Sequence, residues 1–347
     1  MTDTNELEFE TPLEEEEESL NFPSAKRKIY TDLADPEIEA LLGKFKRGKL
    51  IVQPDFQRYY VWDVAKASKL IESALLGIPI PIIYLSEEPD NKEYVIDGQQ
   101  RLTSFFSFID GRLPSNINAD FRLKGLKVTS ELNGKKYSEL TESLQDQIRY
   151  FSVRTITFKK ESDPSLKFGI FERLNTGAVS LNDQELRNCI YRGEFNKLLK
   201  DLSGDSDFKF ILGLTGPDMR MKDIELVLRF AAFHHATYLK YKPPMKNFLN
   251  MEAERYRNIS ISEAQELKVG FKNTCQIIRS MFGANAFKRF YKGASGKNVA
   301  GYWEPKKFNA SLYDILMYTF AQTDKNIVYQ NLDSIREALI HLMTEDQ

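Results

Sequence analysis

Histidine and cysteine are scarce in this chain, with three and two respectively among 347 residues. His234, His235 and His341 all fall within helical patterns and have no cysteine nearby, which argues against a Cys/His zinc site and a histidine–metal nuclease centre. Cys189 and Cys275 also sit in helical patterns, so no disulfide framework is expected and a reducing compartment fits. No apolar run approaches the roughly 18 residues that a membrane span requires. No basic-then-apolar leader opens the sequence and no internal repeat is visible, so the expectation is a cytoplasmic protein with no membrane contact.

What is present is an ordinary globular composition, 42% hydrophobic and 28% charged, over a length sufficient for two domains. Charge is unevenly placed. Residues 1–20 hold nine acids (Asp3, Glu6, Glu8, Glu10 and Glu14 to Glu18) and no base; removing them from the net −2 leaves +7 on the remainder. Residues 1–30 read as an acidic disordered tail, with a mobile nucleic-acid mimic as the alternative. The basic remainder permits nucleic-acid binding without demonstrating it.

After the tail, periodicity predicts helices over residues 35–47, 63–76, 99–110, 138–150 and 164–174, and strands at 82–85, 93–96 and 152–158. From about residue 195 the patterns are almost wholly helical, the longest covering 221–241, 262–282, 309–322 and 333–345. The expected class is therefore α+β: a mixed N-terminal domain over 31–195, then a mainly α-helical domain over 196–347.

The most informative segment is Tyr94-Val-Ile-Asp97-Gly98-Gln99-Gln100-Arg101-Leu102. A β-branched run stops at Asp-Gly and an amphipathic helix follows, so a strand, a tight turn and a helix N-terminus converge. The first N–H groups of a helix lack intrahelical acceptors and lie at the positive end of its dipole, which suits an anion such as a phosphate. Gly98 allows close approach of a ligand to the main chain. Gln99 and Gln100 are neutral donors, Arg101 offers a planar fork for phosphate oxygens, and Asp97 can cap the helix, hold a metal or orient a water. The competing view is a well-capped turn with a surface arginine.

Three other clusters carry polar groups. Phe56-Gln57-Arg58-Tyr59-Tyr60-Val61-Trp62 interleaves arginine with aromatics that can stack on a base, although the apolar members also suit core anchors. Asn175-Thr176-Gly177 makes a helix C-cap turn whose compact polar groups can read a base edge or ribose. Glu185 and Arg187 follow on the next helix as candidates to support an arginine of the site, and Arg220 and Lys222 open a further helix as candidate DNA contacts or as a solvated face. Gly293-Ala-Ser-Gly296-Lys297-Asn298 lacks the spacing of a phosphate loop.

Taken in order, Phe56-Gln-Arg58-x-Tyr-Val-Trp62, Gly77-Ile-Pro-Ile-Pro81, Asp97-Gly-Gln-Gln-Arg101-Leu, Phe171-x-x-Leu-Asn175-Thr-Gly177 and Glu185-x-Arg187 resemble the domain-of-unknown-function 262 family, the GmrS-type N-terminal domain of modification-dependent restriction systems, over about residues 35–240. The resemblance implies a ParB/sulfiredoxin-like fold whose strand-to-helix turn holds nucleotide phosphates. It also implies nucleotide binding or hydrolysis at Asp97, Gly98, Gln99, Gln100 and Arg101, with Gln57 and Arg58 nearby. Related proteins couple nucleotide hydrolysis to sensing of modified DNA in defence against phage. Many also carry a His-Asn-His nuclease domain, for which this chain has too few histidines.

The expectation is a nucleotide-binding protein and NTP hydrolase, using ATP or GTP with Mg²⁺, that serves as the sensor or switch of a restriction system. Asp97, Gln100 and Arg101 would be catalytic, with Asp97 on the metal; Gln57, Arg58, Gly98, Gln99, Arg101, Asn175 and Thr176 would bind nucleotide. DNA, modified or not, and a nuclease partner subunit are the expected partners. The rivals are a metal-dependent DNA nickase at the same site, a non-enzymatic DNA-binding module, and an interaction subunit with a degenerate pocket.

Overall fold

Asp63 accepts the Lys66 N–H at 2.7 Å and so starts a twelve-residue helix, one of several places where a side-chain cap sets an element boundary. The computed structural model describes residues 28–52, 60, 62–114, 116–174, 181–218, 220–236, 238–293, 301–305 and 307–345. It divides into two compact units, residues 24–181 and residues 182–347.

In the first unit the order is β1 (Thr31–Ala34), α1 (Ile38–Lys46), β2 (Leu50–Ile51), α2 (Val64–Leu75), β3 (Ile83–Glu87), β4 (Glu93–Asp97), α3 (Gln99–Asp110), β5 (Arg112–Leu113), β6 (Asn116–Asp120), α4 (Glu142–Arg149), β7 (Thr155–Phe158) and α5 (Pro164–Leu174). Five strands form a mixed sheet in the order β1-β7-β3-β4-β2, with β5 and β6 making a separate two-stranded ribbon. β3 runs antiparallel to β4 and parallel to β7. The apolar faces of α1, α2 and α3 supply a core that includes Ile38, Leu41, Ile71, Ile83, Val95, Leu102 and Phe105. Burial of this kind contributes about 25 cal/mol per Å² of apolar surface and outweighs the weak helix propensity of the Phe- and Ser-rich α3. Gly111, in the left-handed conformation (φ 81°), ends α3 where expected.

The second unit contains α6 (Asp183–Ile190), α7 (Glu194–Ser203), α8 (Ser206–Leu212), α9 (Lys222–His235), α10 (Met245–Arg255), α11 (Ile261–Phe282), β8 (Phe290–Tyr291), β9 (Tyr302–Trp303), α12 (Ala310–Gln322), α13 (Lys325–Gln330) and α14 (Leu332–Thr344). α9 is central: Leu226, Val227, Leu228, Phe230, Ala231 and Ala232 are all buried, which covers more than one face of the helix. Phe230 and Phe208 both meet the edge of Phe271 on α11, at ring-centroid distances of 5.2 and 5.1 Å. The Tyr313 hydroxyl of α12 donates to the Leu226 carbonyl at 2.8 Å, which satisfies the phenol in this interior.

The class is α+β with a mostly helical C-terminal region, as expected. Several details differ from the periodicity, two of them in the second unit. α9 stops at His235 rather than running to residue 241, because Ala236 turns extended (φ −120°, ψ 111°). The antiparallel β8–β9 hairpin interrupts the helical succession. Among the described residues no helix is long and apolar enough to cross a membrane.

Candidate functional site

β4 ends in a bulge. Tyr84 pairs with Asp97 but Leu85 pairs with Val95, so Ile96 is an extra residue on β4 and the strand bends just where Asp97 leaves the sheet. Gly98 then adopts φ 107°, ψ 4° and serves as the N-cap of α3 without a side chain to bond the first turn. A Cβ at this position would sit 2.9 Å from Ile83 Cγ1, so both the positive φ and the close packing call for glycine. The result is a helix N-terminus presented directly after a carboxylate that is about half-exposed.

Arg101, one turn into α3, is turned inward. Its Nη2 donates to Asp97 Oδ2 at 2.7 Å, and its Nη1 donates to the carbonyls of Ile82, at 3.2 Å, and of Pro81. The guanidinium therefore ties three pieces together: the end of β4, the start of α3 and the extended entry into β3. The Ile78-Pro-Ile-Pro81 stretch has two prolines that lack N–H donors, and its last carbonyls find their donor in Arg101. The side chain is 10% exposed, so in this conformation the fork holds Asp97 and main-chain carbonyls rather than facing solvent.

The described end of the aromatic segment joins the same turn. The Trp62 N–H donates to Gln100 Oε1 at 3.3 Å, and Lys66 lies over the Trp62 ring at 4.7 Å. The Tyr60 hydroxyl and Ser104 Oγ are 2.8 Å apart, while Ser104 also donates to the Gln100 carbonyl. Burial pushes the Tyr60 phenol above its ordinary pKa, so it remains a neutral hydrogen-bonding group. Gln99 and Gln100 are both partly exposed on the first turn of α3. Gln57, Arg58, Asn175 and Thr176 lie outside the described residues.

The remaining candidates gather in the second unit. Glu185 is fully buried and has its cation in Arg220, with Arg220 Nη2 3.2 Å from Glu185 Oε2. The Asn182 side chain and Glu185 form a reciprocal capping box at the start of α6, and Asn182 Nδ2 also donates to the Arg220 carbonyl at 2.7 Å. Arg187 is equally buried; it donates to Asn250 at 2.8 Å and to Gln184 and Glu225, each at 3.1 Å. Arg220 and Lys222 share Asp218, whose Oδ1 accepts both of their backbone N–H groups at 2.8 and 3.0 Å. In the described conformation, then, Arg220 is the counter-ion of a buried carboxylate.

Asp223, which the sequence groups with Arg220 and Lys222 at the start of the helix, is buried beside this cluster. Its carboxylate accepts the Asp218 and Ile224 N–H groups yet is pushed up to about 6, by burial first and by the neighbouring Asp218 charge as well. Sequence reasoning missed the carbonyls of Pro81 and Ile82 as the seat of Arg101. Backbone acceptors have no sequence signature.

A divalent ion would have limited protein ligands here. No group of three or more His, Cys, Asp or Glu able to hold a metal occurs among the described residues, and Asp97 is the one acid of the Asp97–Arg101 turn. One carboxylate fits Mg²⁺ when the remaining ligands come from phosphate oxygens and water.

No curated protein and no solved structure matches the chain. Residues 38–192 match the family model of the GmrSD restriction endonuclease N-terminal domain.

Proposed function

We propose that the first unit binds a nucleoside triphosphate at the Asp97–Arg101 turn and serves as the sensor or switch of a DNA restriction system that acts in defence against phage. The observation that carries this reading is the pairing of a half-exposed Asp97 carboxylate with the α3 N-terminus, both fixed by the inward-facing Arg101. The first-turn N–H groups and the helix dipole favour phosphate oxygens. Gly98 leaves no side chain in the way of that approach. Asp97 is placed to orient a water or a Mg²⁺ that the phosphates also hold, and Gln100, bridged to Trp62, links the turn to the aromatic segment.

Arg101 acts in this scheme as a positioning residue, since its donors are committed to Asp97 and to the β3 entry. The match to a restriction-endonuclease domain supports this system, and in this reading strand cleavage falls to a partner subunit, in keeping with the placement of all three histidines in helices. Calorimetric titration of each of the four NTPs with Mg²⁺ into the full chain tests the binding. Binding that Asp97→Asn weakens at unchanged melting temperature supports the reading, and absence of heat with all four nucleotides overturns it. Turnover measured with and without modified duplex DNA tests hydrolysis and its coupling to sensing.

A further inference from the structure

Between Phe287 and Phe308 the chain carries six basic residues and one acid, against a net charge of −2 for the whole. This stretch contains the β8–β9 hairpin, and its register sorts the aromatics onto two faces. Phe290 pairs with Trp303, and Tyr291 pairs with Tyr302. Side chains alternate along a strand. The Phe290–Trp303 pair packs inward, with Trp303 edge-on to Phe290 at 5.1 Å and to Phe282 of α11 at 6.0 Å. The Tyr291–Tyr302 pair stacks on the other face at 5.6 Å and 30°, with Tyr302 44% exposed. Gly301 makes the close crossing possible: it has φ 81°, and a Cβ there would lie 2.6 Å from the Phe290 ring and 2.7 Å from the Tyr291 carbonyl.

We propose that this hairpin is a contact site for single-stranded nucleic acid, with Tyr291 and Tyr302 as the stacking platform and Lys288, Arg289, Lys292 and Lys307 as the phosphate contacts. Arg289, Lys292 and Lys307 are exposed and lie in sequence on or just beyond the two strands that carry the tyrosine pair. Glu304, the one acid of the stretch, lies 3.7 Å from Lys307 and is largely covered. Positive charge beside an exposed π-face is what unpaired bases on a phosphate backbone require, because every base can stack and every phosphate is anionic. A duplex keeps its base faces covered and offers this platform little. A lipid surface would call for the tryptophan and phenylalanine to point outward, and here they point in. The site lies in the second unit and does not depend on the Asp97 turn.

Fluorescence anisotropy of the full chain with a labelled oligothymidylate, across a salt series, tests the proposal. Four phosphate contacts predict a log–log salt slope of about −3. Tyr302→Ala is expected to weaken binding about tenfold and Tyr302→Phe to leave it nearly intact, since stacking needs the ring and not the hydroxyl. Lys292→Ala with Lys307→Ala should shrink the slope by about 1.4. Melting temperatures of the variants establish that they fold. Absence of binding, tighter binding of the matching duplex, binding of anionic phospholipid vesicles in place of the oligonucleotide, or a folded Tyr302→Ala variant with unchanged affinity would each overturn it.

Discussion

Asp97 and Arg101 hold one another across the first turn of α3, with Nη2 2.7 Å from Oδ2, the carboxylate 51% exposed and the guanidinium 10% exposed. The two ends of this ion pair thus live in different media. The cation is locked by further bonds to the Pro81 and Ile82 carbonyls, and the anion is aimed by it at the mouth of the turn. An ion pair so divided does more for geometry than for net stability, since a half-exposed carboxylate is partly screened. Its consequence is orientation of Asp97 at a helix N-terminus.

Replacing Arg101 separates the two roles. Arg101→Ala leaves two carbonyls and a carboxylate without their donor, and is expected to cost about 1–3 kcal/mol in urea unfolding. Arg101→Lys restores the charge but not the planar fork, and should recover only part of that cost. Nucleotide affinity should fall with both variants. A purely phosphate-facing arginine would instead lower affinity with no loss of stability, and the unfolding curves discriminate between the two.

Gly98 gives a sharper test of the turn. Gly98→Ala places a methyl group 2.9 Å from Ile83 Cγ1 at φ 107°, so strain and overlap add. A loss of about 1–3 kcal/mol is expected by thermal or urea denaturation. Combining it with Ile83→Ala, which removes both γ-carbons from the contact, should cost less than the sum of the two single changes.

Much of this turn could be read in the sequence because each signal was local. The β-branched run before Asp97, the Asp-Gly step and the Phe-rich helix up to Gly111 each depend on neighbours within a few positions. The cap at Asp63 was legible for the same reason, since its side chain bonds the backbone N–H three residues on. The inward turn of Arg101 was not legible, because its partners are carbonyls about twenty residues away. Neither was the pairing of Glu185 with Arg220, which joins residues from separate helical segments. The β8–β9 hairpin escaped because two residues per strand are too few to show alternation.

That Glu185–Arg220 pair predicts a stability effect where the sequence suggested a DNA contact. Glu185 is 0% exposed, so Arg220→Ala strands a buried charge and should destabilise the protein by about 3 kcal/mol. Glu185→Gln on the same background removes that charge and should restore part of the loss. If Arg220 served DNA alone, Arg220→Ala would leave the unfolding midpoint unchanged and reduce only the salt-dependent affinity.

Asp223 makes the second unit sensitive to pH in a defined direction. Its folded pKa, about 6, lies above the ordinary 3.8, so the folded state holds its proton over a range in which the unfolded chain has lost it. Stability from this group is therefore fully present below about pH 4 and is lost as pH rises to about 6, amounting to about 3 kcal/mol at 1.36 kcal/mol per unit. Carboxylates such as Glu72, held low by the N–H groups of residues 127–129 despite its burial, change stability in the opposite sense, so the native curve alone would blur the effect. The difference between the native chain and Asp223→Asn isolates it, because asparagine keeps an acceptor for the Asp218 and Ile224 N–H groups and cannot ionise. Urea unfolding at a series of pH values should show the advantage of Asp223→Asn growing between pH 4 and 6 and then levelling; a difference that stays flat across that interval would mean Asp223 titrates normally and its burial costs the fold nothing.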